Sequence, residues 1–157
     1  MANLRWDDDA DEVDGRARLT ALEHTRRLLA RAAALYAPFS CPATAECCVL
    51  ATSSRPPWVW PTEWALVLEA LKAQGRAVPG PRADGACRLL GDDGRCTIYG
   101  ARPFGCRTFF CHRRTGPTHE PTAAVHALDD ELTRLNVGLD PTAAPLPLEA
   151  RLRSAGG

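Results

Sequence analysis

Seven cysteines in Gly- and Pro-rich loops constrain this 157-residue chain more than any other feature. They fall into two groups: Cys41, Cys47 and Cys48, then Cys87, Cys96, Cys106 and Cys111. Core cysteines usually sit on the apolar face of a helix or strand. Cysteines that hold a metal usually sit on loops, where backbone can wrap a centre and aim sulfurs and N–H groups inward. A disulfide framework fits poorly, because the count is odd. Cys47 and Cys48 are neighbours, with Cα atoms about 3.8 Å apart across a trans peptide. An ordinary disulfide wants at least about 4.4 Å.

The N-terminus, MANLRWDDDADEVDG, is acidic and has no apolar stretch, so it does not read as an export signal. The expected compartment is the reducing cytoplasm, where stable disulfides are rare. No run of about 18 apolar residues occurs, so no membrane span is expected. Nineteen basic residues balance nineteen acidic ones, which gives no electrostatic footprint for nucleic acid or an anionic membrane. Arg113-Arg114 is too short a basic pair to change that.

Helical periodicity appears from Arg16 to Tyr36, with Leu19, Leu22, Leu29 and Ala33 as the expected buried stripe and Pro38 as the stop. A second helix is expected from an N-cap at Thr62 to Gly75. Leu89–Leu90 and Cys96–Tyr99, around Gly91-Asp92-Asp93-Gly94, predict a short hairpin. Ala124, Leu128, Leu132 and Leu135 predict a third helix from Thr122 to Val137, closed by Gly138. The expected fold is mainly α: a small helical domain whose Cys-rich loops wrap a metal centre. Residues 1–15 are expected to be disordered, 16–137 to form the domain, and 138–157 to be a Pro-rich tail.

FSCPATAECC, then CRLL, then GRCTIYGARPFGCRTFFC resembles the YkgJ-like cysteine-cluster family, a CxxCxxCC domain suggested to chelate zinc or iron. Cys41, Cys47 and Cys48 match the box, and Cys87 precedes Leu89 and Leu90. Cys96 opens a C-x-I-Y step, and Arg102, Pro103, Cys106 and Arg107 match an R-P-x-x-C-R step. The resemblance spans residues 39–111. The second box cysteine would fall at Thr44, so a ligand is missing there or another residue replaces it, with Cys111 and His112 as the candidates. Related boxes occur in flagellin lysine methylases, where an iron–sulfur cluster is the expected centre. The resemblance implies a metal centre more firmly than a reaction.

Structural zinc takes four ligands, commonly through CxxC knuckles, and this chain has none. Seven thiols exceed the need of one zinc. An iron–sulfur cluster takes four thiolates and accepts irregular spacing. The order of expectation is therefore iron–sulfur, then zinc, with mononuclear iron last. All seven cysteines are candidate ligands, led by Cys47, Cys48, Cys96 and Cys106. Arg102 and Arg107 are candidates to balance thiolate charge; a turn with a solvated guanidinium is the competing reading for Arg102.

Tyr99, Phe104, Phe109 and Phe110 are expected in the core. Glu63 is expected to be a first-turn helix residue favoured by the dipole, rather than a ligand or base. Trp58, Trp60 and Trp64 either pack a Pro-rich loop or present a surface to a protein partner. No phosphate loop, dinucleotide fingerprint, zinc-protease helix or nucleophile elbow occurs. Three functions follow: a metal or iron–sulfur protein with a redox or metal-handling role, a metal-dependent enzyme acting on a protein or small molecule, or a structural zinc module for protein–protein interaction.

Overall fold

The computed structural model describes residues 12–40, 46–49, 56–108 and 115–156. Among them, five helices and one two-stranded sheet follow in order. Helix α1 is Glu12–Leu35, strand β1 is Trp58–Val59, helix α2 is Pro61–Ala73, helix α3 is Phe104–Arg107, helix α4 is Thr122–Leu139, strand β2 is Leu146–Pro147 and helix α5 is Leu148–Gly156. Single 3₁₀ turns cover Glu46–Cys48 and Tyr99–Ala101. The fold is mainly helical, as the periodicity predicts.

Helix α1 starts at Glu12, inside the stretch expected to be disordered; residues 1–11 lie outside the described residues. Its buried stripe is Ala21, Leu22, Thr25, Leu28, Leu29 and Ala32. Leu19, expected on that stripe, is 68 % exposed. Thr25 marks the middle of the buried face, and at about 100° per residue Leu19 points roughly 120° away from it, past its edge. Thr25 is tolerated in the core because its hydroxyl donates to the Ala21 carbonyl at 2.9 Å.

Helix α2 begins at Pro61, one residue before the expected N-cap. Proline suits a first helical position, since its missing N–H would have had no partner. Thr62 therefore sits inside the helix, fully buried, with its N–H on Asn136 Oδ1 and its hydroxyl accepting from Asn136 Nδ2 at 3.1 Å. Gly75, at φ +65, lies just past the Gln74 C-cap, as expected of a helix stop. Helix α4 runs through Gly138 to Leu139 instead of closing at Gly138.

Two apolar clusters make the core. Leu22, Leu28, Leu29 and Ala32 of α1 meet Ala65 and Leu66 of α2, Leu128 and Leu132 of α4, and Phe104. Val59, Trp64, Val67 and Leu71 meet Leu89, Ile98, Leu148 and Leu152. Helix α2 serves both clusters, which is why Pro61 to Val67 are all buried. The segment expected to be a tail is part of the second cluster. Leu146 and Pro147 pair antiparallel with Val59 and Trp58, and Leu148 and Leu152 are 3 % and 0 % exposed.

Candidate metal centre

The chain from Ala86 to Arg107 builds one wall of the site. Its hairpin is shorter than expected: an isolated antiparallel bridge joins Leu90 to Cys96, closed by Gly91 N–H on Arg95 O at 2.7 Å. The Leu89 carbonyl accepts from both the N–H and the hydroxyl of Thr97, at 2.8 and 2.9 Å. Leu89 and Ile98 sink into the second core cluster and hold Cys87 and Cys96 at its edge. Gln74, at the end of α2, ties this loop down by donating to the Thr97 carbonyl at 2.8 Å.

Next comes the Tyr99–Ala101 turn, then Arg102, Pro103 and α3. Arg107 donates to the carbonyls of Arg102 and Gly100, each at 2.6 Å. It thereby locks the turn against the helix that carries Cys106. Its own guanidinium pKa is lowered, chiefly by burial and then by the Arg102 charge. Arg102 stacks on Tyr99, 3.7 Å above the ring, and donates to the Tyr99 carbonyl. That contact explains why Tyr99 is 60 % exposed and not in the core as expected. Phe104 is buried as expected, and Phe109 and Phe110 lie outside the described residues.

Glu63 holds the start of α3. This carboxylate is 1 % exposed, accepting from Trp60 N–H at 2.8 Å and from Phe104 N–H at 2.6 Å. It caps α2 by reaching back to Trp60, as an acidic residue at the third helical position does. It also satisfies the first N–H of α3. Burial outweighs those two hydrogen bonds and pushes its pKa up to about 7. The sequence expectation of a first-turn residue favoured by the dipole placed Glu63 in the helix's first turn and missed both the bond back to Trp60 and the long-range bond to Phe104, which depends on tertiary placement.

The other wall is the Glu46–Cys48 turn. The Cys48 carbonyl accepts from Cys87 N–H at 2.8 Å, so the first cysteine group is stitched directly to the second. Cys47 is exposed, whereas Cys48, Cys87, Cys96 and Cys106 are half-buried. The adjacent pair share a hydrogen bond. Cys48 donates to the Cys47 sulfur, which with the nearby Arg102 charge brings Cys47 down to about 6. The same bond and burial push Cys48 up. Burial, then neighbouring thiols, raises Cys106; burial is also the first cause of the rise at Cys87 and Cys96. Arg102 favours the thiolates of Cys47, Cys96 and Cys106 electrostatically.

Three of the seven expected ligands, Cys87, Cys96 and Cys106, thus share one edge of the second core cluster, and Cys48 is joined to them by its backbone bond to Cys87. Cys41 and Cys111 lie outside the described residues, as do Thr44 and His112. Their flanks are described: Ser40 and Thr115 form an antiparallel bridge at 2.7 and 3.1 Å. Among the described residues, no three Cys, His, Asp or Glu side chains close around one ion as they stand. The donor set itself is soft sulfur with a neighbouring guanidinium, which fits zinc, iron and iron–sulfur clusters and not calcium or magnesium.

Trp58, Trp60 and Trp64 separate. Trp64 is core, Trp60 is half-buried and Trp58 is 56 % exposed. Trp58 and Trp60 line a cleft of about 530 Å³ with Glu63, Phe104, Gly105 and Asp129. No described helix is long and apolar enough to cross a membrane.

The model of the CxxCxxCC family, described as a "putative zinc- or iron-chelating domain", matches residues 40–126, more than half of the chain. The chain belongs to this family. No curated protein and no solved structure matches it. The family's description suggests that its cysteines chelate zinc or iron. The match takes in all seven cysteines, α2 and α3, and leaves α1, β2 and α5 outside.

Proposed function

We propose that this chain is a cytoplasmic iron–sulfur protein with a redox or metal-handling role. The observation that carries the reading is that Cys87, Cys96 and Cys106 lie on one core edge, with the Cys47–Cys48 turn joined to it by the Cys48–Cys87 backbone bond. The seven thiols of the chain exceed what one zinc employs, and they come without CxxC knuckles. A cluster presents several irons to ligands on separate loops and is served by N–H groups and cations nearby. Arg102 supplies the charge, and Arg107 holds the turn that aims it. A cluster at this place would be bound by thiolates of the two loops, with Cys41 and Cys111 as further candidates, and would supply one-electron chemistry.

A protein partner is the second element of the proposal. Trp58 is an exposed aromatic at the rim of a cleft that borders the Cys106 helix. Exposed tryptophans are enriched where binding energy concentrates. Trp64 is buried and takes no part in such a surface. A partner seated on Trp58 and Trp60 would approach the centre from the α3 side.

The test is the double variant Cys47→Ser/Cys48→Ser, purified without a metal-binding tag. It is expected to lose bound iron or zinc, measured by elemental analysis per mole of protein. Undiminished metal in that variant would remove the adjacent pair from the ligand set.

A further inference from the structure

The C-terminal segment is the part of this fold that family membership leaves unexplained. It lies beyond the matched residues, yet four sets of contacts tie it to the rest of the fold, the last two of them to the segment that carries Cys87, Cys96 and Cys106. Strand β2 pairs with β1, and Leu148 N–H donates to Pro57 O at 2.8 Å. Arg151 donates to the Val59 carbonyl at 3.2 Å. Leu148 and Leu152 pack in the cluster that Cys87, Cys96 and Cys106 edge. Finally, Arg88, the residue after Cys87, places Nε and Nη2 on Glu149 Oε1 of α5 at 2.9 and 2.7 Å. The Arg88 side chain is only 9 % exposed and that of Glu149 30 %, so the pair is shielded from screening by water. Arg88 also reaches the Pro79 carbonyl at 3.4 Å, which pins the loop leading into Cys87.

A loop that carries a ligand sets how fast its metal leaves, because release begins with one ligand swinging away. The Cys87 loop has a short hairpin on one side and this segment on the other. We infer that residues 146–156 form a clasp that holds the Cys87 loop on the metal centre, with Arg88 and Glu149 as its positioning residues. The inference rests on the chelating role proposed above. Its consequence is that metal retention depends on an ion pair outside the cysteine motifs.

The test uses the full chain loaded with zinc and measures release into an excess of chromophoric chelator. Alkylation of each cysteine by iodoacetamide in the metal-free protein is followed in parallel by mass spectrometry. Glu149→Gln is expected to speed zinc release on the order of tenfold, between the effects of exposed and buried ion pairs. Arg88→Gln, which breaks the pair while keeping the Glu149 charge that raises the Cys87 pKa, is expected to speed labelling of Cys87 with Cys47 unchanged. The exchanged pair Arg88→Glu/Glu149→Arg is expected to recover most of the loss in both readouts. Release within about twofold of wild type in Glu149→Gln, with Cys87 labelling within about twofold in Arg88→Gln, would overturn the clasp. So would acceleration at every cysteine alike with no recovery in the exchanged pair, the signature of general destabilisation. If the wild-type chain retains neither zinc nor iron, the chelating role fails, and the Cys87 labelling decides the clasp by itself.

Discussion

Two side chains set opposite demands at the centre. Cys47 is exposed and held as a thiolate near neutrality by the Cys48 hydrogen bond and Arg102; Cys106 is half-buried with its pKa pushed up. In the metal-free protein at pH 7, Cys47 is expected to alkylate at least about tenfold faster than Cys106, since the thiolate is the nucleophile. Peptide mapping after brief iodoacetamide treatment checks this, and equal rates would contradict the thiolate assignment. Glu63 gives a pH dependence of known sign. Its folded pKa of about 7 lies above the ordinary carboxyl value, so the folded state binds more protons between them. Its contribution is fully present below about pH 4.5 and is lost as pH rises through about 7. The loss is on the order of 3 kcal/mol. Glu63→Gln removes that slope while also weakening the bonds to Trp60 and Phe104. Comparing denaturant unfolding of the two proteins from pH 4.5 to 8 reads the difference directly; parallel curves would show that Glu63 does not titrate in this window.

Among the elements, helix α3 has the greatest consequence for its length. Four residues carry Phe104 into one core cluster and Cys106 to the edge of the other. Both ends are tied down, Phe104 by the Glu63 carboxylate and Arg107 by its own bonds to the preceding turn. Arg107→Lys keeps the charge but not the two-carbonyl geometry, since lysine lacks the planar fork. It is expected to lower metal occupancy several-fold while leaving helical circular dichroism unchanged. The Ser40–Thr115 bridge needs the residue after it. Gly116 sits at φ +144, and a Cβ there would meet the Pro38 carbonyl at 2.9 Å and Phe39 Cα at 3.0 Å. Gly116→Ala is expected to cost roughly 1–3 kcal/mol, read by thermal unfolding. Helices were legible in the sequence because a stripe of apolar residues at 3.6-residue spacing survives any tertiary context. Their ends and faces were less so: Thr62 looked like a cap but is a buried partner of Asn136, and Leu19 fits the period yet faces water.

At the scale of the whole molecule, the order of the cysteine motifs announced the family, whose description is a "putative zinc- or iron-chelating domain". What stayed hidden was the C-terminal packing. Three prolines between 141 and 147 carry a loop signal, and two leucines four residues apart are too few to reveal a helix face. Only tertiary structure brings Leu148 and Leu152 onto the cluster beside Cys87. Leu152→Ala is therefore expected to cost about 2–5 kcal/mol, as for a fully buried leucine, where a residue in a loose tail would cost nothing measurable. Urea unfolding of the metal-free protein checks it. The helical core and the sulfur-lined edge are separate parts of one fold: α1, α2 and α4 supply stability, and the loops between them supply the donors.

The central claim is that those donors hold an iron–sulfur cluster. Anaerobic purification without a metal-binding tag, followed by analysis for iron, zinc and acid-labile sulfide with an absorption spectrum, tests it most directly. The account predicts iron and sulfide in matching amounts with broad visible absorption that bleaches on reduction. A colourless protein with stoichiometric zinc and no sulfide would contradict it and make the centre a structural one.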